Sequence, residues 1–284
     1  MRTVYLNGQY LAEQDATISV FDRGFMFADA IYEVTAVLDG KLIDFDLHVQ
    51  RLRRSLGELG MPMPFDDQAL LAVHRQLIEL NGLREGLIYL QVSRGSEDRN
   101  FLYPAAGTPQ TVVLYTQAKV VVDSPLAKRG LAIIGLPDLR WGRSDIKTTQ
   151  LLYACMAKEQ ARAEGADDAW LVRDGYVTEG TSNNAFIITR DGKVVTRGLS
   201  SELLPGITRR SLLALVQANG LELEERAFSL DEAKGATEAF ITSSTSFVYP
   251  VVRIDGQAIG DGTPGPLTQR LRALYIEHAR AVLA

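Results

Sequence analysis

Arg143-Ser144-Asp145-Ile146-Lys147-Thr148-Thr149 is a short polar connector holding a single lysine. Upstream lies the apolar run Leu131 to Leu136, closed by Pro137-Asp138. Downstream, Leu151, Leu152, Cys155 and Met156 recur at helical spacing within Gln150 to Glu164. The pattern predicts a strand before Lys147 and a helix after it. Thr148 or Thr149 can cap that helix, so an ammonium at Lys147 would face the positive end of the helix dipole, which disfavours its charged form. A lysine that deprotonates readily is a better nucleophile toward an aldehyde. Polar connectors also carry many lysines that do nothing but meet water, so the chemistry of Lys147 depends on what the rest of the chain brings.

The 284 residues, 46% of them hydrophobic, allow two domains with a sizeable core. A formal net charge of -5 and a pI near 5.4 argue against a nucleic-acid partner, which needs a basic face, and favour small molecules or protein partners. Cys155 is the one cysteine, so neither an intrachain disulfide nor a cysteine-based zinc site is available, and no metal is expected. Its place in an apolar helical pattern predicts a buried core thiol. The chain opens on a strand-like segment without the regions of a secretory signal, and no apolar run is long enough to span a bilayer. A cytoplasmic location is expected.

Taken in order, residues 1 to 11 predict a β-hairpin turning at Asn7-Gly8, and Ile18 to Phe21 leads into Asp22-Arg23-Gly24, where Gly24 is expected to mark a tight turn. Ala30 to Leu38 places Tyr32, Val34 and Ala36 on one side and Glu33, Thr35 and Val37 on the other, and Asp39-Gly40 turns it into Lys41 to Phe45. Asp46 is expected to cap a helix through Leu47, Arg51, Leu52, Leu56 and Leu59. Arg51 falls at the edge of its apolar stripe, a candidate anion ligand. A second helix spans Asp66 to Asn81, with strands over Leu87 to Ser93 and Val112 to Thr116. Strands, two helices and strands again suggest helices on one side of a largely antiparallel sheet. Val120 to Lys128 reads as the connection between domains, which gives an N-terminal domain over 1–119, a connection over 120–128 and a C-terminal domain over 129–284.

The C-terminal part predicts strands over Ala169 to Arg173, Tyr176 to Thr178, Ala185 to Ile188, Lys193 to Thr196 and Ala239 to Thr242. Helices follow over Arg209 to Asn219 and Pro266 to Val282. Two pieces suit a phosphate. Gly206-Ile207-Thr208 presents backbone N–H groups before a helix, and Ser243-Ser244-Thr245 supplies small hydroxyls at a strand end. The absence of G-x-x-x-x-G-K-[ST] and of a strand followed by G-x-G-x-x-G speaks against a nucleoside triphosphate or a dinucleotide and leaves a small phosphorylated cofactor.

Asp22-Arg23-Gly24 with Tyr32-Glu33, Asp145-Ile146-Lys147, Thr178-Glu179-Gly180 with Asn184, Gly206-Ile207-Thr208-Arg209 and Thr242-Ser243-Ser244-Thr245-Ser246 form a set. The set resembles the class IV, fold type IV pyridoxal-phosphate aminotransferases, and within them most the D-amino acid (D-alanine) aminotransferases. The resemblance runs through nearly the whole chain in the same order. It implies a two-domain α+β / α/β fold, with a small N-terminal α/β domain and a larger C-terminal pseudo-barrel α/β domain that binds the cofactor. It also implies pyridoxal 5'-phosphate, amino acid and 2-oxo acid substrates, and a homodimer with shared active sites.

Residue by residue, the resemblance implies that Lys147 binds the cofactor's aldehyde and carries the substrate's Cα proton. Glu179 would face the pyridine nitrogen and keep it protonated. Arg51, the N–H groups of Ile207 and Thr208, Ser243 and Ser244 would hold the phosphate side, and Leu204 would pack on the ring. Tyr32, Arg99 and Thr245 would meet the substrate. The reaction implied is ping-pong transfer of an amine from a D-amino acid to a 2-oxo acid. L-branched-chain transamination and aminodeoxychorismate cleavage are the alternatives on the same cofactor, and a non-catalytic small-molecule binder is the alternative without it.

One position departs from the D-amino acid pattern. The family typically presents an arginine and, two positions later, a histidine on the loop after the strand ending at Ser93, where it reaches the partner's site to trap the α-carboxylate. This chain has Arg99, Asn100 and Phe101. Arg99 can still grip a carboxylate with two hydrogen bonds, but Phe101 donates none, a loss of about 1 to 3 kcal/mol.

Overall fold

The computed structural model describes all 284 residues, which fall into two compact units. The first comprises residues 1–120, 146–150 and 282–284, and the second residues 121–145 and 151–281. Residues 121–128, expected as a connection, thus lie with the second unit, and the segment around Lys147 lies with the first.

The first unit holds β1 (Thr3–Leu6), β2 (Gln9–Ala12), α1 (Arg23–Phe27), β3 (Ala30–Leu38), β4 (Lys41–Leu42), α2 (Phe45–Glu58), α3 (Asp67–Leu80), β5 (Gly86–Ser93) and β6 (Thr111–Ala118). Its six strands pair antiparallel in the order β2-β1-β6-β5-β3-β4. The helices bury Val49, Leu52 and Leu56 of α2 and Leu70, Val73 and Leu77 of α3, spaced three and four apart, against Ile31, Val37, Ile88 and Leu90 of the sheet. Because side chains alternate along a strand, β3 sends Glu33 to the buried helix side and Tyr32 to the other.

Three local features differ from those expected. Gly24 lies inside the short helix α1, whose N-cap Asp22 accepts its N–H at 2.8 Å; a Cβ there would lie 2.9 Å from Asp22 Oδ1 and from Ser93 Cβ, so close packing and not a turn requires glycine. Helix α2 starts at Phe45 after Asp44, and Asp46 sits in its first turn without serving as the cap. Strand β4 is two residues long, because the chain enters α2 directly after Asp44.

The second unit holds α4 (Pro125–Arg129), β7 (Leu131–Pro137), α5 (Leu152–Ala163), β8 (Asp168–Arg173), β9 (Tyr176–Gly180), β10 (Asn184–Ile188), β11 (Val194–Thr196) and α6 (Ile207–Ala218). It continues with β12 (Leu223–Glu225), α7 (Leu230–Lys234), β13 (Glu238–Ser243), β14 (Phe247–Ile254), β15 (Gln257–Ala258) and α8 (Pro266–Ala281). Eight strands run in the order β12-β11-β10-β13-β14-β7-β8-β9, with β15 paired to β14. The sheet is mixed: β7 lies parallel to both β14 and β8, and β11 is parallel to β12. The inner strands are covered on both faces, which is why β10 reads as an unbroken buried run. Ile133, Trp170, Ile187, Phe228, Tyr249 and Ile254 form the main core. The architecture is the two-domain α+β arrangement expected.

Helix α5 departs from its expected packing. Leu151 is at its N-cap position and no side chain caps it. Leu152 and Met156 are 76% and 59% exposed, and Cys155 is exposed, not a core thiol. The buried face is instead Ala157 and Ala161, which pack with Ile134, Leu136, Ala169 and Leu171 of β7 and β8. A helix with two apolar stripes can bury either, and here the small residues face the sheet.

Candidate active site

In the first unit Lys147 is held by backbone pairing and not by a helix cap. Tyr32 N–H donates to the Lys147 carbonyl at 3.0 Å, Thr149 N–H donates to the Ala30 carbonyl at 3.1 Å, and Thr148 bridges to Ile31. The Thr149 hydroxyl donates to the Ala28 carbonyl at 3.2 Å. Both threonines are therefore committed to the β3 side, and contrary to expectation neither caps α5, whose N-cap is Leu151. The same pairing aims the lysine: its Nζ lies 4.1 Å from the centroid of the Tyr32 ring. The Tyr32 ring stacks on Tyr89 at 5.5 Å, and Tyr89 stacks on Tyr115 at 4.9 Å. These are cross-strand neighbours on the open face of the sheet, which hold Tyr32 by ring contact.

Beneath that face sits a buried ionic cluster that sequence reading did not resolve. Arg51 donates through Nε and Nη2 to the two oxygens of Glu33, at 2.8 and 2.7 Å, and His48 Nδ1 donates to Glu33 at 2.8 Å. Burial pushes the Glu33 carboxyl up, but the Arg51 charge and hydrogen bonds, with those of His48, overcome it and hold the group well below the usual carboxylate range. Burial likewise lowers His48, partly offset by Glu33. The two-point grip fixes the plane of the Arg51 guanidinium.

The Asp22-Arg23-Gly24 run has a structural role that the sequence did not disclose. Arg23 donates to the carbonyls of Asn100 and Leu102 at 2.7 and 3.1 Å and to Asp29 at 2.8 Å, tying down the loop that carries Arg99. On that loop the Arg99 guanidinium lies 5.1 Å from the Phe101 ring and 5.6 Å from Phe27, and Phe101 is 78% exposed. Where a histidine would donate, this loop offers an aromatic face to its own arginine.

In the second unit Glu179, on β9, is 4% exposed and multiply anchored. Leu204 N–H lies 3.2 Å from each of its oxygens, Asn184 Nδ2 donates to Oε2 at 3.1 Å, and Arg140 Nη1 donates to Oε1 at 2.5 Å. Asn184 also donates to the Leu204 carbonyl at 2.9 Å, so one side chain joins the carboxylate to the turn before α6. Gly206, at the N-cap of α6, has no side chain to cap the helix, and a Cβ there would lie 2.1 Å from Asn184 Oδ1. The first amides of α6, at Ile207 and Thr208, are donors of the kind any helix start leaves for an anion. At the end of β13 the Ser243 and Ser246 hydroxyls pair at 2.5 Å, while Ser244 and Thr245 are half-buried. Within the second unit a buried carboxylate, helix-start amides and small hydroxyls are groups of the kind that a ring nitrogen and a phosphate require, and Lys147 of the first unit is an amine of the kind that an aldehyde requires, so the residue types fit a pyridoxal-type group.

The chain belongs to the amino-transferase class IV family, whose sequence model matches residues 30–254. It is an enzyme of that class, as the motif set implied. It is 40% identical to the D-alanine aminotransferase of Bacillus licheniformis over 269 residues, 95% of this chain and 94% of the other. With the D-alanine aminotransferase of Staphylococcus aureus (strain N315) it shares 34% over 274 residues, 96% of each chain. Among solved structures, the T.th. branched-chain amino acid aminotransferase with pyridoxamine 5'-phosphate superposes with a TM-score of 0.89 at 26% identity, covering 100% of this chain and 98% of that one. No helix is long and apolar enough to cross a membrane.

Arg140, the pairing of Glu33 with Arg51 and His48, and the tethering role of Arg23 are not legible in the sequence. Asp138 and Arg140, two apart after a strand, were the available signal for the first. Nothing local marks a charged residue as buried and paired.

Proposed function

We propose that this enzyme transfers the amino group of a D-amino acid, D-alanine or D-glutamate in type, to a 2-oxo acid, with pyridoxal 5'-phosphate as its cofactor. The observation that carries the reading is 40% identity, over 95% of the chain, to a protein named D-alanine aminotransferase. When bound, the cofactor supplies an electron sink that acidifies the Cα–H bond of an attached amino acid. Lys147 would hold the aldehyde carbon, and its amine would take the proton from the substrate's Cα and deliver it to C4′ of the cofactor. Glu179 holds a proton on the ring nitrogen. The α6 amides of Ile207 and Thr208, with Arg51, Ser243 and Ser244, bind the phosphate, and Leu204 packs on the ring. Tyr32 and Thr245 line the substrate pocket. Arg99 binds the α-carboxylate in a homodimer whose subunits share their active sites. With Phe101 in place of a histidine, one donor fewer grips the carboxylate, and a weaker KM for the amino acid follows.

Two measurements test this. The protein incubated with D-alanine and 2-oxoglutarate produces pyruvate, while L-leucine and aminodeoxychorismate serve as the competing substrates. No pyruvate from D-alanine, with turnover of either other substrate, removes the D-specific reading. An absorbance band at about 410 nm, the cofactor's own chromophore, disappears in Lys147→Ala. A band that survives assigns the covalent role to another lysine.

A further inference from the structure

We infer that Arg140 is a positioning residue that sets the orientation of the Glu179 carboxylate, an inference that rests on the cofactor role proposed for Glu179. Arg140 lies just after β7, and Glu179 is on β9; the two strands flank β8. The guanidinium divides its donors between two carboxylates. Nε and Nη2 grip Asp138 at 3.0 and 2.9 Å, Nη2 also meets the Glu202 carbonyl at 3.1 Å, and Nη1 alone reaches Glu179 Oε1.

The Asp138 end is itself immobile. Its carboxylate accepts the Thr178 hydroxyl at 2.8 Å and the Arg140 N–H at 3.1 Å, with Arg173 3.4 Å away. Thr178 is the residue before Glu179, so the strut closes back on the strand that it aims at. A merely structural arginine would need no more than the Asp138 and Glu202 contacts to hold the turn after β7. The Nη1 contact adds nothing to that turn and fixes one Glu179 oxygen, while Asn184 fixes the other and Leu204 N–H reaches both. A carboxylate held from three directions keeps one orientation before any ring nitrogen arrives, and the cost of orienting it is met in folding and not on binding. Arg140 also supplies the positive partner that a carboxylate 4% exposed requires.

The test is a double-mutant cycle read by pyridoxal phosphate affinity of the apo-protein, titrated by absorbance and needing no turnover. Arg140→Gln weakens uptake about tenfold, Arg140→Lys, which keeps the charge but loses the fork, about threefold, and Glu179→Gln weakens it by itself. In the Glu179→Gln background the Arg140→Gln change adds less than about twofold, because its target is already altered. Should Arg140→Gln not fold, Arg140→Lys carries the same cycle. An Arg140 effect that persists in full in the Glu179→Gln background overturns the inference, as does uptake by Arg140→Gln equal to that of the unaltered chain. Failure of the unaltered chain to take up the cofactor at all overturns the functional reading and this inference with it.

Discussion

His74 shows how a single side chain turns burial into a pH dependence. It is buried in α3 against the edge of the Phe45 ring at 5.2 Å, with Nδ1 donating to the Leu70 carbonyl at 2.8 Å. Burial pushes its pKa down from 6.5 to about 4, opposed by the Leu70 hydrogen bond and assisted by His48. As pH falls below 6.5 the unfolded chain takes up a proton that the folded ring refuses until about pH 4, so folded-state stability drops across that window and levels off beneath it. At pH 4.5 the loss from this residue is about 2 to 3 kcal/mol relative to neutral pH. Urea unfolding at pH 6.5, 5.5 and 4.5 should show a shallower slope in His74→Gln; identical slopes would refute the assignment. Some slope remains in the variant, since His48 is lowered in the same direction, whereas Glu33 adds its own loss only as pH falls below the ordinary carboxylate range. At this scale the sequence disclosed residue types but not their partners. Arg51 was legible as sitting at the edge of a core stripe, yet its pairing with Glu33 joins residues 18 apart on different elements, and only packing brings them together.

Helix α3 is the clearest case of an element written in its own sequence. Its N-cap Asp66 accepts the Ala69 N–H at 2.7 Å, and Leu70, Val73, His74, Leu77 and Ile78 form its buried stripe. Asp66→Ala should cost about 1 kcal/mol of stability by chemical denaturation, while Asp66→Asn, an equally good cap, keeps nearly all of it. Equal losses in both variants would mean that charge, not capping, is what Asp66 contributes. Helix α5 marks the limit of the same reasoning. Periodicity finds an apolar stripe, but Leu152 and Met156 on one side and Ala157 and Ala161 on another both satisfy it, and closeness to β7 and β8 selects the smaller pair. The α2 start differs by a residue or two for a related reason: Asp44 and Asp46 both suit a helix beginning, and Asp44 holds the N-cap position without a side-chain hydrogen bond.

Over the whole molecule, the first unit is assembled from three stretches distant in sequence. Its β4 edge is completed by Ala284, whose N–H donates to the Leu42 carbonyl at 2.9 Å and whose carbonyl accepts the Leu42 N–H at 3.0 Å. Removal of residues 282–284 should lower stability by about 1 to 2 kcal/mol in urea and expose an edge strand. An unchanged midpoint would show that this pairing contributes nothing. Ile146, buried in the core of the same unit, carries Lys147 with it, so the lysine is placed by a return of the chain that no composition shift announces.

The sequence by itself determined the family, the aminotransferase class and the two-domain α+β fold, because apolar periodicity, turn residues and short motifs are local and survive being read along a line. Only the tertiary structure decided that Lys147 is held by β3 and stands over Tyr32, that Arg51 is gripped by Glu33, and that Arg140 reaches Glu179. Those facts are contacts between charged or aromatic groups remote in the chain. Whether such groups are solvated or buried and paired depends on which strands become neighbours and how closely they pack.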